Sequence, residues 1–146
     1  MKILLDTCVV SELRHPQGDP RVRAAVAEQL DDDLFVSVLT VGEIRKGVSL
    51  LVESRRRREL ESWLTGLVQH FSDRIVPIDD QVATLWGELC AAAQANGRSI
   101  PAIDGLIAAT ALCYGMSLMT RNVDDFAGTG VRLINPWASP AVHDAG

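Results

Sequence analysis

The sequence predicts a doubly wound α/β fold, a parallel sheet with helices on both faces. Three observations carry that expectation. Short apolar runs recur along the chain with helical stretches between them, the pattern of strand, crossover helix, parallel strand. At 146 residues and 47% hydrophobic composition the chain can bury a full core without disulfides or a structural metal, so one domain spanning residues 1–146 is expected. Acidic residues stand just past several of the apolar runs, on the sheet edge where such folds bind ligands.

Taken in order, Ile3 to Leu5 reads as a strand and Thr7 to Leu13 as a helix. A Pro/Gly loop from His15 to Pro20 leads to a second helix through Leu30. Leu34 to Val38 is the second strand, followed by Thr40 and a helix to about Val52, and then by a helix from Arg55 to about Phe71. Ile75 and Val76 form a brief third strand before Pro77, and Asp79 caps a helix that ends at Asn96 and Gly97. Pro101 suits the first turn of a helix running through Leu112 and stopped by Tyr114 and Gly115. "SLMT" and "VRLIN" supply the last two strands.

Composition removes several classes of function. Asp6 interrupts the apolar start, so it does not read as a secretory signal, and a cytoplasmic protein is expected. The longest uncharged stretch, Gly105 to Thr120, is too short and mixed to span a bilayer. Cys8, Cys90 and Cys113 are an odd number without paired spacing, which fits reduced, packed thiols. A net charge of −5 gives no general attraction for nucleic acid, so any such binding needs a local basic patch or bound cations.

The acids admit a structural and a chemical reading. Asp6 suits a helix N-cap. Thr40 to Glu43 matches a capping box, in which the acid reaches back to the cap residue's amide. Asp104 lies in a first helical turn, where negative charge is favourable, but Gly105 beside it is a poor helix residue unless another chain or a ligand approaches closely. As a set, Asp6, Glu43 and Asp104 stand at strand ends or early in helices, where the topology can gather them. Gathered carboxylates repel unless neutralised, and hard divalent cations such as Mg²⁺ or Mn²⁺ do so through oxygen ligands. Because Mg²⁺ pairs one or two carboxylates with a substrate phosphate, such a site suggests phosphoryl chemistry. Asn122, Asp124 and Asp125, past the "SLMT" strand, fall on the same edge.

Other arrangements fare worse. Cys8 to Arg14 has the C-x₅-R spacing of a cysteine phosphatase, but the segment between them lacks glycine and carries Glu12 where an anion would sit. A phosphoaspartyl enzyme would want a second Asp two positions after Asp6, where Cys8 stands. His15, His70 and His143 are isolated and are expected at the surface. Arg55 to Arg58 occupy successive helical positions and spread around the helix, a solvated face in preference to a nucleic-acid contact.

With these residues in place the chain resembles the PIN-domain nucleases, and within them the VapC toxins of bacterial toxin–antitoxin pairs, in the FitB-like subgroup. The resemblance runs nearly end to end through "LLDTCVVSELR", "SVLTVGEIRKGV", "IPAIDGLIAATAL", "MTRNVDDF" and "LINPW". It implies a three-layer α/β/α sandwich with a mostly parallel central sheet of about five short strands. It implies Mg²⁺- or Mn²⁺-dependent endonucleolytic cleavage of RNA, with the metal held by the acids matching Asp6, Glu43 and Asp104, of which Asp6 and Asp104 are the most direct ligands. Many relatives have Asn at the position of Cys8 and some have Asp at that of Asn122; Asn122 can orient water, and Asp125, or Asp124, can supply a fourth charge. Thr7 and Thr120 flank the acids as supporting hydroxyls or as helix caps.

The resemblance also implies a homodimer and a cognate VapB-like antitoxin, whose C-terminal segment wraps the toxin in a higher assembly. Two alternatives stay open on sequence: a PIN nuclease acting on DNA or in RNA maturation, and a PIN-like module that binds nucleic acid or protein without cleaving.

Overall fold

Five short strands form one all-parallel sheet in the order β3-β2-β1-β4-β5 in a computed structural model that describes residues 1–138. The strands are β1 (Ile3–Leu5), β2 (Leu34–Ser37), β3 (Ile75–Val76), β4 (Ser117–Met119) and β5 (Leu133–Ile134). Between them run α1 (Thr7–Arg14), α2 (Pro20–Ala27), α3 (Val38–Ser49), α4 (Arg55–His70), α5 (Asp80–Ala95) and α6 (Ala102–Cys113). The expected fold class is therefore the observed one. His143 lies outside the described residues.

The strand order follows from where each apolar residue points. Side chains alternate along a strand, so Ile3 and Leu5 of β1 face one way and Leu4 the other. Ile3 and Leu5 join Val9, Val10, Val22, Ile44, Val48 and Leu64, the core under α1 to α4. Leu4 joins Val76, Ile107, Ala108, Leu118 and Phe126, the core under α6. All three β1 residues are at most 1% exposed, as a central strand covered on both faces requires.

α6 is apolar all round because it is enclosed, with Ala108, Ala109 and Ala111 fully buried and α5 packed on its outer side. Gly105 lets that packing happen: a Cβ there would lie 3.0 Å from Cδ1 and Nε1 of Trp86. The close neighbour that explains Gly105 is thus α5 of the same chain, not the other chain or ligand expected from sequence.

Element ends differ from expectation in several places, α3 among them, which ends at Ser49 and not at about Val52. α2 stops at Ala27, short of Leu30, and Asp31–Asp33 turn the chain into β2. Ser37 is the N-cap of α3, accepting from Leu39 N at 3.0 Å, so the helix starts at Val38, the last residue of the expected strand. That start overturns the capping-box reading, since Thr40 lies inside the helix and Glu43 one turn further on. Pro101 is the residue before α6 and not its first helical position.

Arg55 to Arg58 behave as a solvated face: Arg55 pairs with Glu59, Arg57 with Glu61 and Arg58 with Glu53. Among the described residues no helix is long and apolar enough to cross a membrane.

Candidate active site

β1 has β2 on one side and β4 on the other, so the strand order reverses there, the switch point beyond whose carboxyl ends folds of this class bind ligands. Asp6 is the next residue after β1 and extends its ladder, with Asp6 N donating to Met119 O at 3.0 Å. Its side chain is only 7% exposed. Oδ1 accepts from Thr7 N at 2.9 Å, the helix cap expected of it, while Oδ2 accepts from Thr120 Oγ1 at 2.8 Å. The cap and the site are one group: the bond that starts α1 leaves the second oxygen at the switch point.

Thr7 ties the next acid in place. Its Oγ1 donates to Glu43 Oε1 at 2.6 Å and lies 3.1 Å from Thr40 Oγ1. Thr40 and Glu43 are three apart on α3 and share a face, so one hydroxyl on α1 meets both. Thr120, at the end of β4, is fully buried and accepts from Asn122 N at 3.0 Å while serving Asp6. Both threonines hydrogen-bond candidate acids, and Thr120 also accepts from the backbone that follows it.

Asp104 enters from the first turn of α6. Partial burial pushes its carboxyl above the ordinary aspartate value, and the charges of Asp125, Asp6 and Glu43 push it further in the same direction. Those three acids are thus near enough to Asp104 for their fields to be felt, with Asp125 the strongest. Asp124 makes no such contribution, and it is Asp125 on the turn Val123–Phe126 that brings the fourth charge. Asn122 precedes that turn and is exposed, and its side chain caps nothing.

Among the described residues none of Asp6, Glu43, Asp104 or Asp125 is ion-paired with Lys, Arg or His. Nor do any three His, Cys, Asp or Glu side chains among them stand at joint ligating distance. The acids share a field without sharing a coordination sphere. A hard divalent ion that keeps much of its water needs only one or two of these carboxylates directly.

Cys8 sits beside Asp6, with Sγ 3.8 Å from Oδ2 and accepting from Arg121 N at 3.5 Å. Burial pushes its thiol up, and the Asp6 charge adds to the shift, against the hydrogen bond from Arg121. A nucleophilic cysteine needs the opposite. Cys8 lies inside α1 and not in a phosphate loop, which disposes of the C-x₅-R reading.

A carboxylate cluster at the switch point of an all-parallel sheet can be compared directly with known proteins, and residues 3–131 match the PIN domain family model. The chain belongs to the PIN-domain family. Among curated PIN relatives, Toxin FitB of Neisseria gonorrhoeae is 37% identical over 136 residues, covering 92% of this chain and 98% of the toxin. VapC ribonuclease Y4jK of Sinorhizobium fredii is 35% identical over 136 residues, covering 92% of this chain and 97% of that protein. A solved structure of FitAB bound to an IR36 DNA fragment superposes on this PIN domain with a TM-score of 0.90 at 36% identity, over 97% of this chain and 99% of that one.

Two details of the site escaped the sequence reading. Thr40 was assigned to a cap and is instead a buried hydroxyl against Thr7; Ser37, directly after the strand, was the signal that the cap lay earlier. Thr7 reaches Glu43 across 36 positions, a pairing no local pattern marks.

Proposed function

We propose that this PIN domain is the toxin of a type II toxin–antitoxin pair: an endoribonuclease that hydrolyses RNA phosphodiester bonds and is held in check by a cognate VapB-like antitoxin. The names of its relatives, Toxin FitB and VapC ribonuclease Y4jK, support the toxin and ribonuclease parts. The FitAB structure supports a partner protein. The observation that carries the chemistry is Asp104, whose carboxyl is raised first by burial and then by the charges of Asp125, Asp6 and Glu43, with no cationic side chain among the described residues paired to any of the four.

Asp6 and Asp104 would take Mg²⁺ or Mn²⁺ directly and Glu43 through its water, with Asp125 adding negative field and Asn122 orienting water. Such a cation supplies Lewis-acid activation for phosphodiester hydrolysis. The chain's own residues prepare the place. Thr7 N and Thr120 Oγ1 fix both oxygens of Asp6, so that carboxylate loses little freedom when it binds. The Thr7 hydroxyl holds Glu43 with one oxygen and leaves the other for water. Asp104, whose carboxyl is raised by burial and by its acidic neighbours, is the acid whose charge a cation would relieve most. All the core acids are retained, which disfavours a module that only binds. A homodimer, joined by antitoxin into a larger assembly, is the proposed biological unit.

The direct test incubates the purified protein with short single-stranded RNAs in Mg²⁺, in Mn²⁺ and in EDTA. Cleavage with either metal and none in EDTA is expected. Full cleavage in EDTA would overturn the metal-dependent mechanism, and cleavage confined to DNA would overturn the ribonuclease.

A further inference from the structure

Arg98 follows the end of α5 and lines a cavity that it shares with Asp125. α5 ends in a Schellman motif: Gly97 has φ +72°, Gly97 N donates to Gln94 O at 3.0 Å and Arg98 N to Ala93 O at 2.8 Å. That motif locks the backbone from which the side chain departs. The guanidinium then lies flat on Gly128, where a Cβ would come 2.5 Å from Nη2, 2.7 Å from Nη1 and 3.0 Å from Cζ. Gly128 also has φ +86°, a backbone conformation that favours glycine there.

Arg98, Asn96, Ser99, Asp124 and Asp125 help to line a cavity of about 280 Å³. Asp125 is also the acid whose charge weighs most on Asp104, so this cavity adjoins the acid cluster. Among the described residues Arg98 makes no ion pair, despite two carboxylates on the same wall. Arg98 is exposed, and among the described residues its side-chain donors are uncommitted.

We propose that Arg98 is a substrate-binding residue that takes the phosphate next to the scissile one in the RNA chain. This rests on the ribonuclease reading above. A planar guanidinium presents a fork that matches two phosphate oxygens. A protein of net charge −5 has no general pull on RNA, and the acids repel the strand they must act on. A cation beside Asp125 offsets that repulsion locally and sets the register of the strand across the acids.

The experiment compares Arg98→Gln and Arg98→Lys with the unaltered protein. Cleavage of a fluorescent single-stranded RNA gives KM and kcat, and anisotropy over a NaCl series, with Asp104→Asn in the background to prevent turnover, gives the binding slope. Arg98→Gln should raise KM about tenfold, the size of one charged hydrogen-bonded contact, with kcat nearly unchanged. Its log Kd against log salt slope should fall by about 0.7, one phosphate contact on a single strand. The weakening should be the same for RNAs of different sequence.

Arg98→Lys should keep the slope and recover part of KM, whereas an arginine needed only for packing on Gly128 would leave the slope untouched in both. Unchanged KM and slope in a folded Arg98→Gln protein would overturn the proposal. If Arg98→Gln does not fold, Arg98→Lys decides, and a KM equal to that of the unaltered protein would overturn the contact. Failure of the unaltered protein to cleave or bind any RNA would strike the ribonuclease reading, and this proposal with it.

Discussion

The two edges of the sheet treat charge in opposite ways. On the amino edge Arg74, 8% exposed, donates to Asp31 O at 2.5 Å, Leu34 O at 2.9 Å and His70 O at 3.0 Å, and pairs with Asp31 Oδ2 at 3.1 Å. Its guanidinium carbon lies 4.9 Å from the centroid of Phe71. The hydrogen bond from His70 and the Arg74 charge hold Asp31 below the ordinary carboxylate range. On the carboxyl edge Asp104 moves the other way, raised by burial and by three like charges. One edge pairs its buried cation with carbonyls and a carboxylate and holds the fold together; on the other, among the described residues, the acids have no cationic partner.

Breaking the unmatched edge should have the largest effect. Asp104→Asn should cut RNA cleavage about a thousandfold, the several kcal/mol that metal-assisted stabilisation supplies. In metal-free buffer the same variant should melt no lower than the unaltered protein, because it relieves repulsion. A parallel fall in melting temperature and activity would make Asp104 a structural residue, and calorimetry beside a cleavage assay separates the cases.

Breaking the matched edge should do the reverse. Arg74→Met strands the carbonyls of Asp31, Leu34 and His70 and should destabilise by about 3 kcal/mol in urea unfolding. Activity per folded molecule should stay close to that of the unaltered protein. Most of the loss comes from the orphaned carbonyls, since Asp31 is half exposed and its ion pair is screened.

The smallest effect sharpens the contrast through pH. Asp104 binds its proton more tightly folded than unfolded, so its ionisation costs stability above the folded value, and that cost disappears as pH falls below the unfolded value near 4. Asp31 has the opposite sign, giving stability above the unfolded value that is lost as pH falls through its lower folded value. Melting of the metal-free protein between pH 7 and pH 4 should therefore lose less stability than melting of Asp104→Asn over the same range. Equal losses would show that the acids do not sense one another.

The sequence exposed the fold more readily than the site. β1 and β2 are legible because each is a short apolar run with a helical pattern after it, and Asp79 and Gly97 mark the two ends of α5 by local chemistry alone. Asp6, Glu43 and Asp104 were picked out by their places near strand ends and helix starts, which depend on neighbours in the chain. The start of α3 was misplaced because Thr40 to Glu43 is chemically suited to a capping box, and only the backbone decides between Ser37 and Thr40. Thr7 to Glu43, Thr120 to Asp6 and Arg98 to Gly128 join residues far apart in the chain, and no local periodicity encodes such pairs.

The hydroxyl that steadies Asp6 comes from Thr120, 114 positions downstream, and β4 is the neighbour that closes the other side of β1. During synthesis the first acid leaves the ribosome long before either exists. The nascent polypeptide carries two of its four carboxylates, Asp6 and Glu43, for much of translation with no assembled centre, because long-range parallel pairing forms late and slowly. An enzyme that cuts RNA would thereby be inert beside the message that encodes it until nearly all of its length has been made.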